Sequence, residues 1–505
     1  MSAQTGEFSA FSAQFSENCK ARGPRSRAAA GLVAATMLSF MTLGCLPGDE
    51  NNSQHRSGAP VSNLAEKADR LDAGGASREE DLRVETTATV IPTSAPEAVS
   101  NLPAPAQPVS AGEALQHFFA ALAALDRGER QDPVTILHLG DEHIAADRIT
   151  AELRARFQAR FGDAGRGLMA PGVFRIAGAQ IKREGDWRVA SSSAGDSGPF
   201  GLAGVRLTGR NGAVLQLAMP DKPFDWAEIT FASGPNSGKA YVAVDDKGDV
   251  VSTRTATETW QRIRINAAGS TLTVRAEGTA PVHLLSWRVV RENAGVRYIN
   301  LGVPGATVRT PQAWNDAFVK ADLKHLAPDL IIMGYGTNGA FKDDLNTQAY
   351  ANAANALIGE LRAAVPQASF LVVGPPDLAR LPAYASSGRT EACRPLTGEE
   401  RANYGELMRA KSPRLARWHP PLKLRAARWA LRLVASRKGA FFWDWSRAMG
   451  GPCSIHAWAH ANPPLAAGDH RHFTAEGARK SASALFRDIM EAYDQYRARA
   501  VRAEN

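Results

Sequence analysis

Five short apolar runs, most of them followed by a helical pattern, restrict this chain more than any other feature. They are Val134 to Leu139, Val296 to Leu301, Leu330 to Met333, Phe370 to Val373 and Ala440 to Trp443. Runs that do not alternate with polar residues suit strands buried on both faces, as in a parallel sheet whose crossovers are helices. After the first run, Ile149, Leu153, Phe157 and Phe161 recur every four positions and so share one helix face. Arg154, Arg156 and Arg160 are then expected in water. A further helix is expected over 112–125. Another begins after Thr474, a suitable N-cap, and lines up Ala478, Ala482, Leu485, Ile489 and Tyr493. Strands alternating with helices in this way predict an α/β, doubly wound fold.

The alternation is interrupted. From 181 to 293 the period falls to two, as in Val205/Leu207, Ile263/Ile265 and Leu272/Val274, with turn signals at Asn211-Gly212 and Lys247-Gly248. This predicts an inserted all-β sandwich, splitting the α/β domain into 111–180 and 294–500. The insertion's Trp187, Trp226, Trp260 and Trp287 have the chemistry to stack on sugars, but at this spacing core aromatics explain them, and none is assigned to a site.

Residues 1–110 lack the apolar content for a core. Arg22, Arg25 and Arg27 precede an apolar run from Ala28 to Gly44, too short and too rich in Ala and Gly for a membrane span, which reads as an export signal. Met41-Thr42-Leu43-Gly44-Cys45 resembles a bacterial lipobox, with Thr42 where Leu is usual. Cys45 would then carry lipid and anchor the chain to a membrane; an ordinary signal peptide or short anchor is the other reading. Both place the protein outside the cytoplasm, periplasmic or at the cell surface. From 46 to 110 the Ser, Ala, Pro and acidic content predicts a disordered tether. Of the four cysteines, Cys19 and Cys45 fall in the leader, which leaves Cys393 and Cys453 as a possible disulfide pair.

The net charge of +8 is compatible with nucleic acid, but an exported chain meets anionic envelope polymers instead, so no nucleic-acid partner is expected. Much of the local positive charge lies in Leu422 to Lys438, which has amphipathic helical spacing and is read as a scaffold helix with a solvated basic face, with membrane binding the other reading.

Four blocks carry chemistry: Gly140-Asp141-Glu142-His143, Gly302-Val303-Pro304-Gly305-Ala306, Gly334-Tyr335-Gly336-Thr337-Asn338 and Asp469-His470-Arg471-His472. Each follows or ends an expected element, so each faces the carboxyl edge of the sheet, where open α/β folds bind ligands. The Asn338 side-chain amide and the N–H groups of Glu142 and Gly305 would make an oxyanion hole. In the D-x-x-H pattern, Asp469 is spaced to orient the His472 imidazole and favour its charged form. His143 and His470 are given no role. No cluster with metal-ligand spacing is apparent, and no cofactor is expected.

These blocks resemble the SGNH (GDSL) hydrolase superfamily. More narrowly, the chain is similar to bacterial peptidoglycan O-acetylesterases, exported enzymes with a carbohydrate-binding-like β-sandwich between the first and second blocks. The similarity runs from about Gly112 to Ala492 and includes RFGDAGRG at Arg160 to Gly167 and FFWDWSRAMGGPCS at Phe441 to Ser454. It implies a flavodoxin-like sheet, oxyanion-hole roles for Gly305 and Asn338, a general base at His472, an orienting acid at Asp469, and cysteines seen in relatives at Cys393 and Cys453. It also implies O-acetylated peptidoglycan as partner.

The departure is at the nucleophile position, where GDSH is replaced by GDEH and Glu142 brings no hydroxyl. Ile144, Pro304 and Gly339 stand where the pattern has Thr, Asn and an acid. A carboxylate attacking an ester would give a mixed anhydride, and its charge opposes the oxyanion. Loss of such a nucleophile costs on the order of a million-fold in turnover in a serine protease. The expectation is an esterase by descent that binds glycan with catalysis impaired or lost, Glu142 pairing with His472. The alternatives are an O-acetylesterase in which Glu142 and His472 activate water, and an O-acyltransferase of envelope glycan.

Overall fold

The computed structural model describes residues 108–385 and 392–504. The export signal, Cys45 and nearly all of the expected tether lie outside the described residues. The five apolar runs become strands β1 (Val134–Gly140), β2 (Val296–Gly302), β3 (Leu330–Gly334), β4 (Ser369–Val373) and β5 (Phe441–Trp443). All pair in parallel, in the order β2-β1-β3-β4-β5. That is the flavodoxin-like order, whose reversal between β1 and β3 opens a crevice at the carboxyl ends of the strands. Every residue of β1, β3 and β4 is buried, which is why those runs show no polar alternation.

The main helices are α1 (Gln116–Asp126), α2 (Ile149–Phe161), α3 (Asp316–Leu326), α4 (Thr347–Ala364), α5 (Leu424–Arg437) and α6 (Ala475–Glu504). They cover both faces of the sheet. Phe118 of α1, Leu153 and Phe157 of α2, and Leu485 and Ile489 of α6 pack with Ile136, Tyr298 and Ile332. Leu323 of α3, Leu357 of α4 and Leu431 of α5 pack with Leu137, Ile299 and Ile331. The basic helix α5 thus spends its apolar face, Leu424, Ala427, Leu431 and Val434 among it, on the scaffold. Thr474 caps α6, its hydroxyl accepting from the Gly477 N–H at 3.1 Å. Among the described residues no helix is long and apolar enough to cross a membrane.

Two details differ from the sequence reading. The helix expected over 112–125 is broken at Leu115, where a short turn of helix, Ala111–Ala114, capped by Ser110 and Glu113, meets α1. Arg154 does not lie in water. It is buried and pairs with Asp147 at 3.2 Å, because α2 starts beside a buried carboxylate that needs cations.

Between β1 and β2 lie two antiparallel sheets. One contains Trp187–Ser191, Val205–Gly209, Val282–Val290, Trp226–Ser233 and Thr259–Ile265; the other contains Gln180–Glu184, Val214–Ala218, Thr271–Glu277, Lys239–Val244 and Lys247–Ser252. Leu207, Ile229, Phe231 and Leu284 meet Leu215, Leu217, Val242 and Val274 in a shared core. Trp187 and Trp287 belong to that core, Trp226 is buried under Arg264 and Arg288, and Trp260 packs on Phe318 of α3.

Candidate active site

Three adjacent strands end in glycines that lie in register, Gly140 opposite both Gly302 and Gly334. The short helical turn Glu142–Ala145 folds flat across these ends: a side chain at Gly302 would bring its Cβ to 2.1 Å from the Ala145 nitrogen. Asp141 caps the turn, accepting from the His143 N–H at 3.1 Å. Behind it Asp147 ties the turn down, accepting from Thr150, Arg154, Arg166, the Ala177 N–H and Asn300. Burial would raise the Asp147 carboxyl, yet Arg154 and Arg166 hold it well below the usual carboxylate range. Asn300 also donates to the Ile144 carbonyl at 2.9 Å.

The turn presents Glu142 at the crevice, 7 % exposed. Its Oε2 accepts from the Asn338 amide at 2.6 Å and from the Gly305 N–H at 3.3 Å. Gly305 supplies that N–H from a left-handed conformation, φ +76°, which a residue with a Cβ adopts at a cost. The insertion supports this loop: Ser193 donates its hydroxyl to the Pro304 carbonyl at 2.8 Å. Asn338 follows β3 on the turn Thr337–Ala340, donates also to the Ala306 carbonyl at 3.0 Å, and accepts from Arg471 at 2.7 Å. Gly305 and Asn338 therefore converge as expected, but their shared acceptor is the Glu142 carboxylate itself.

The second Glu142 oxygen is taken by Arg471, at 2.5 Å. This corrects the expected pairing with His472. Burial would raise the Glu142 carboxyl, but the Arg471 charge and the hydrogen bonds from Arg471 and Asn338 hold it down to about 2. The His143 imidazole, which burial pushes down to about 3, lowers the carboxyl further once it is charged. Asp141 goes the other way: burial, and then the neighbouring Glu142 charge, raise it well above the carboxylate range. Glu142 is thus an anion held beside a carboxyl whose ionisation burial and the Glu142 charge both oppose.

Asp469 and His472 form a dyad. The His472 Nδ1 donates to Asp469 Oδ2 at 2.6 Å, and the His472 N–H donates to Oδ1 at 3.0 Å. Burial would raise Asp469, but these bonds keep it below the usual range. In a neutral ring, Nδ1 donating leaves the lone pair on Nε2, the arrangement a general base requires. Arg471, between the two in sequence, links the dyad's loop to the hole. Sequence reasoning passed over Arg471 although it lies inside the fourth block, because a D-x-x-H pattern assigns nothing to its middle positions. Cys393 and Cys453 are joined in a disulfide with their Cα atoms 5.6 Å apart, anchoring the segment that leads to this loop.

The model of the GDSL-like lipase/acylhydrolase family matches residues 267–480. A solved peptidoglycan O-acetylesterase overlays with a TM-score of 0.61 at 25% identity, covering 76% of this chain and 99% of that one. The chain belongs to the SGNH (GDSL) hydrolase superfamily. Looser overlays are a GDSL-like lipase of Bacteroides thetaiotaomicron and a family 2 carbohydrate esterase with a carbohydrate-binding domain from Corynascus thermopiles. The first has a TM-score of 0.25 at 17% identity, covering 39% of this chain and 76% of that one. The second has a TM-score of 0.25 at 14% identity, covering 61% and 99%. No curated protein matches the chain by sequence. In this SGNH protein the Asn338 and Gly305 donors at the sheet edge share one acceptor, the Glu142 carboxylate, which Arg471 of the Asp469/His472 loop also holds.

Proposed function

We propose that this protein is an exported, envelope-associated SGNH protein that binds O-acetylated glycan, peptidoglycan above all, and has lost ester hydrolysis. The observation that carries the reading is the Glu142 Oε2 seated on Asn338 and Gly305. An oxyanion hole accelerates acyl transfer because its donors await a charge that develops only in the transition state. Here those donors already hold a permanent charge, balanced by Arg471. The substrate class comes from the peptidoglycan O-acetylesterase likeness. Export and lipid attachment at Cys45 rest on the leader sequence alone.

Water activation by Glu142 is disfavoured, since a carboxyl held at about 2 is a weak base and its two oxygens are both engaged. Acyl transfer needs a covalent donor site, which a carboxylate bound to Arg471 does not provide.

The test is release of p-nitrophenol from p-nitrophenyl acetate. The parent is expected to match buffer, Glu142→Ser to exceed it by at least about a hundredfold, and His472→Ala in that background to return to it. Parent turnover abolished by His472→Ala would overturn the reading in favour of water activation. Retention of the parent on O-acetylated but not on deacetylated peptidoglycan tests the binding half; equal retention would discard acetyl recognition.

A further inference from the structure

Behind the dyad, on the far side of the same loop, three histidines that the ester chemistry does not use converge. His456 and His460 lie on or just past the short helix Ser454–Ala459, and His470 sits in the loop between Asp469 and Arg471. One ring nitrogen from each lies within 4.8 Å of the others. His456 Nδ1 lies 2.9 Å from His470 Nε2, a hydrogen bond that a bound ion would replace.

Hydrogen bonds at the outer edges set the tautomers. His470 Nδ1 faces the Gly468 carbonyl at 2.8 Å, and His460 Nδ1 faces the His456 carbonyl at 2.8 Å. A carbonyl only accepts, so both Nδ1 atoms carry the proton and both Nε2 atoms carry a lone pair. Backbone carbonyls holding the far nitrogen of an imidazole are the usual outer support of a metal-bound histidine. His470 is fixed further: it is buried, stacked on Trp418 with ring centroids 3.7 Å apart, and held at φ 55°. An aromatic stack accounts for the ring contacts, with His456 4.9 Å from His470 and 4.4 Å from His460, but does not require the nitrogens to converge.

We propose that His456, His460 and His470 bind one divalent transition-metal ion of the zinc class. Zinc–nitrogen bonds of about 2.0–2.1 Å put two ligand nitrogens about 3.3 Å apart on a tetrahedral ion. The cluster needs a contraction of about 1.5 Å at most from its widest separation, within reach of the exposed His460 ring. Three neutral imidazoles suit zinc, copper and nickel, and leave one position for water. The ion would tie the loop bearing Asp469, Arg471 and His472 to the segment anchored by the Cys393–Cys453 disulfide. The sequence raised no expectation of a metal because only the His456/His460 spacing is local; His470 joins them through folding.

The experiment uses the full-length protein, free of any histidine tag and stripped with chelator, titrated with Zn²⁺ by calorimetry and with Co²⁺ by visible absorption. The expected result is saturable 1:1 binding, a four-coordinate Co²⁺ spectrum, and a rise in melting temperature with Zn²⁺. His460→Gln, at an exposed position, should leave the metal-free melting temperature unchanged and weaken binding at least tenfold, by analogy with about 10- to 100-fold losses from altered metal sites. His456→Gln should weaken binding by as much, and His117→Ala on α1 should not weaken it. Absence of saturable binding in the parent, or an affinity equal to the parent's in both cluster variants, overturns the proposal. Neither result depends on whether the ester site is active.

Discussion

At the scale of single residues the site turns on where one negative charge is held. The Glu142 carboxyl lies at about 2, against an ordinary value of 4.5, so it is ionised in the folded chain well below the pH at which the unfolded chain takes up its proton. The sign follows: a depressed folded value gives stability that is complete above about pH 4.5 and is lost as pH falls through about 2. At 1.4 kcal/mol per unit the contribution is on the order of 3 kcal/mol at pH 7. Glu142→Gln is therefore expected to lower unfolding free energy by about 2–3 kcal/mol at pH 7, and the gap to the parent should shrink by about half by pH 3. Urea titrations of both proteins at pH 7, 5 and 3 measure it; a gap independent of pH would mean the ion pair with Arg471 contributes nothing. In the sequence, Gly305, Asn338 and the Asp469/His472 dyad were legible because each sits at a glycine-marked strand end or a fixed spacing. The Arg471 pairing was not, since it joins residues 142 and 471 through the fold and leaves no local period.

At the scale of elements, the turn Glu142–Ala145 holds its place because Asp147 collects donors from β2, α2 and the segment after α2. Asp147 sits at φ 47°, a conformation that Asn tolerates, so Asp147→Asn removes the charge with little change in backbone preference. It leaves Arg154 and Arg166 buried without their counter-charge. The expected loss is about 3–5 kcal/mol in urea unfolding, the range for breaking one side of a buried ion pair. A loss under about 1 kcal/mol would show the network to be solvated. The strands themselves were legible because both faces of each are covered, which forces continuous apolar runs such as Leu330 to Gly334. The period in α2 was legible too, but it reports only which face is apolar. It does not tell whether an arginine beside that face meets water or a buried carboxylate, and Arg154 went the second way.

At the scale of the molecule, the sandwich is joined to the α/β body by core as well as by chain. Phe200, Leu202 and Val205 from the insertion pack in one cluster with Val303, Ala306 and Trp314 beyond β2. Trp314 is the residue where the two meet: it is buried, and its indole N–H donates to the Ser192 hydroxyl at 3.3 Å. On the adjoining surface Arg262 pairs with Asp322 of α3 at 2.6 Å, and His325 of α3 meets Glu228 at 3.1 Å. A junction containing buried apolar side chains resists separation more than a wet inter-domain contact does, so the two parts should unfold as one. Far-ultraviolet dichroism and tryptophan fluorescence are expected to give coincident melting curves for the parent. Trp314→Ala should cost about 3–5 kcal/mol from lost packing and the cavity left behind. Because the cavity opens at the junction, the variant's two probes should separate, the sandwich and the parallel sheet melting at different temperatures. Coincident curves in the variant would place the coupling in the ion pairs to α3 instead, and Asp322→Ala would then be the substitution that splits them. The coupling bears on the site because the loop carrying Gly305 runs between the cluster and the crevice, with Ser193 of the insertion bonded to Pro304. A sandwich that shifts on the sheet would move the Gly305 N–H away from residue 142.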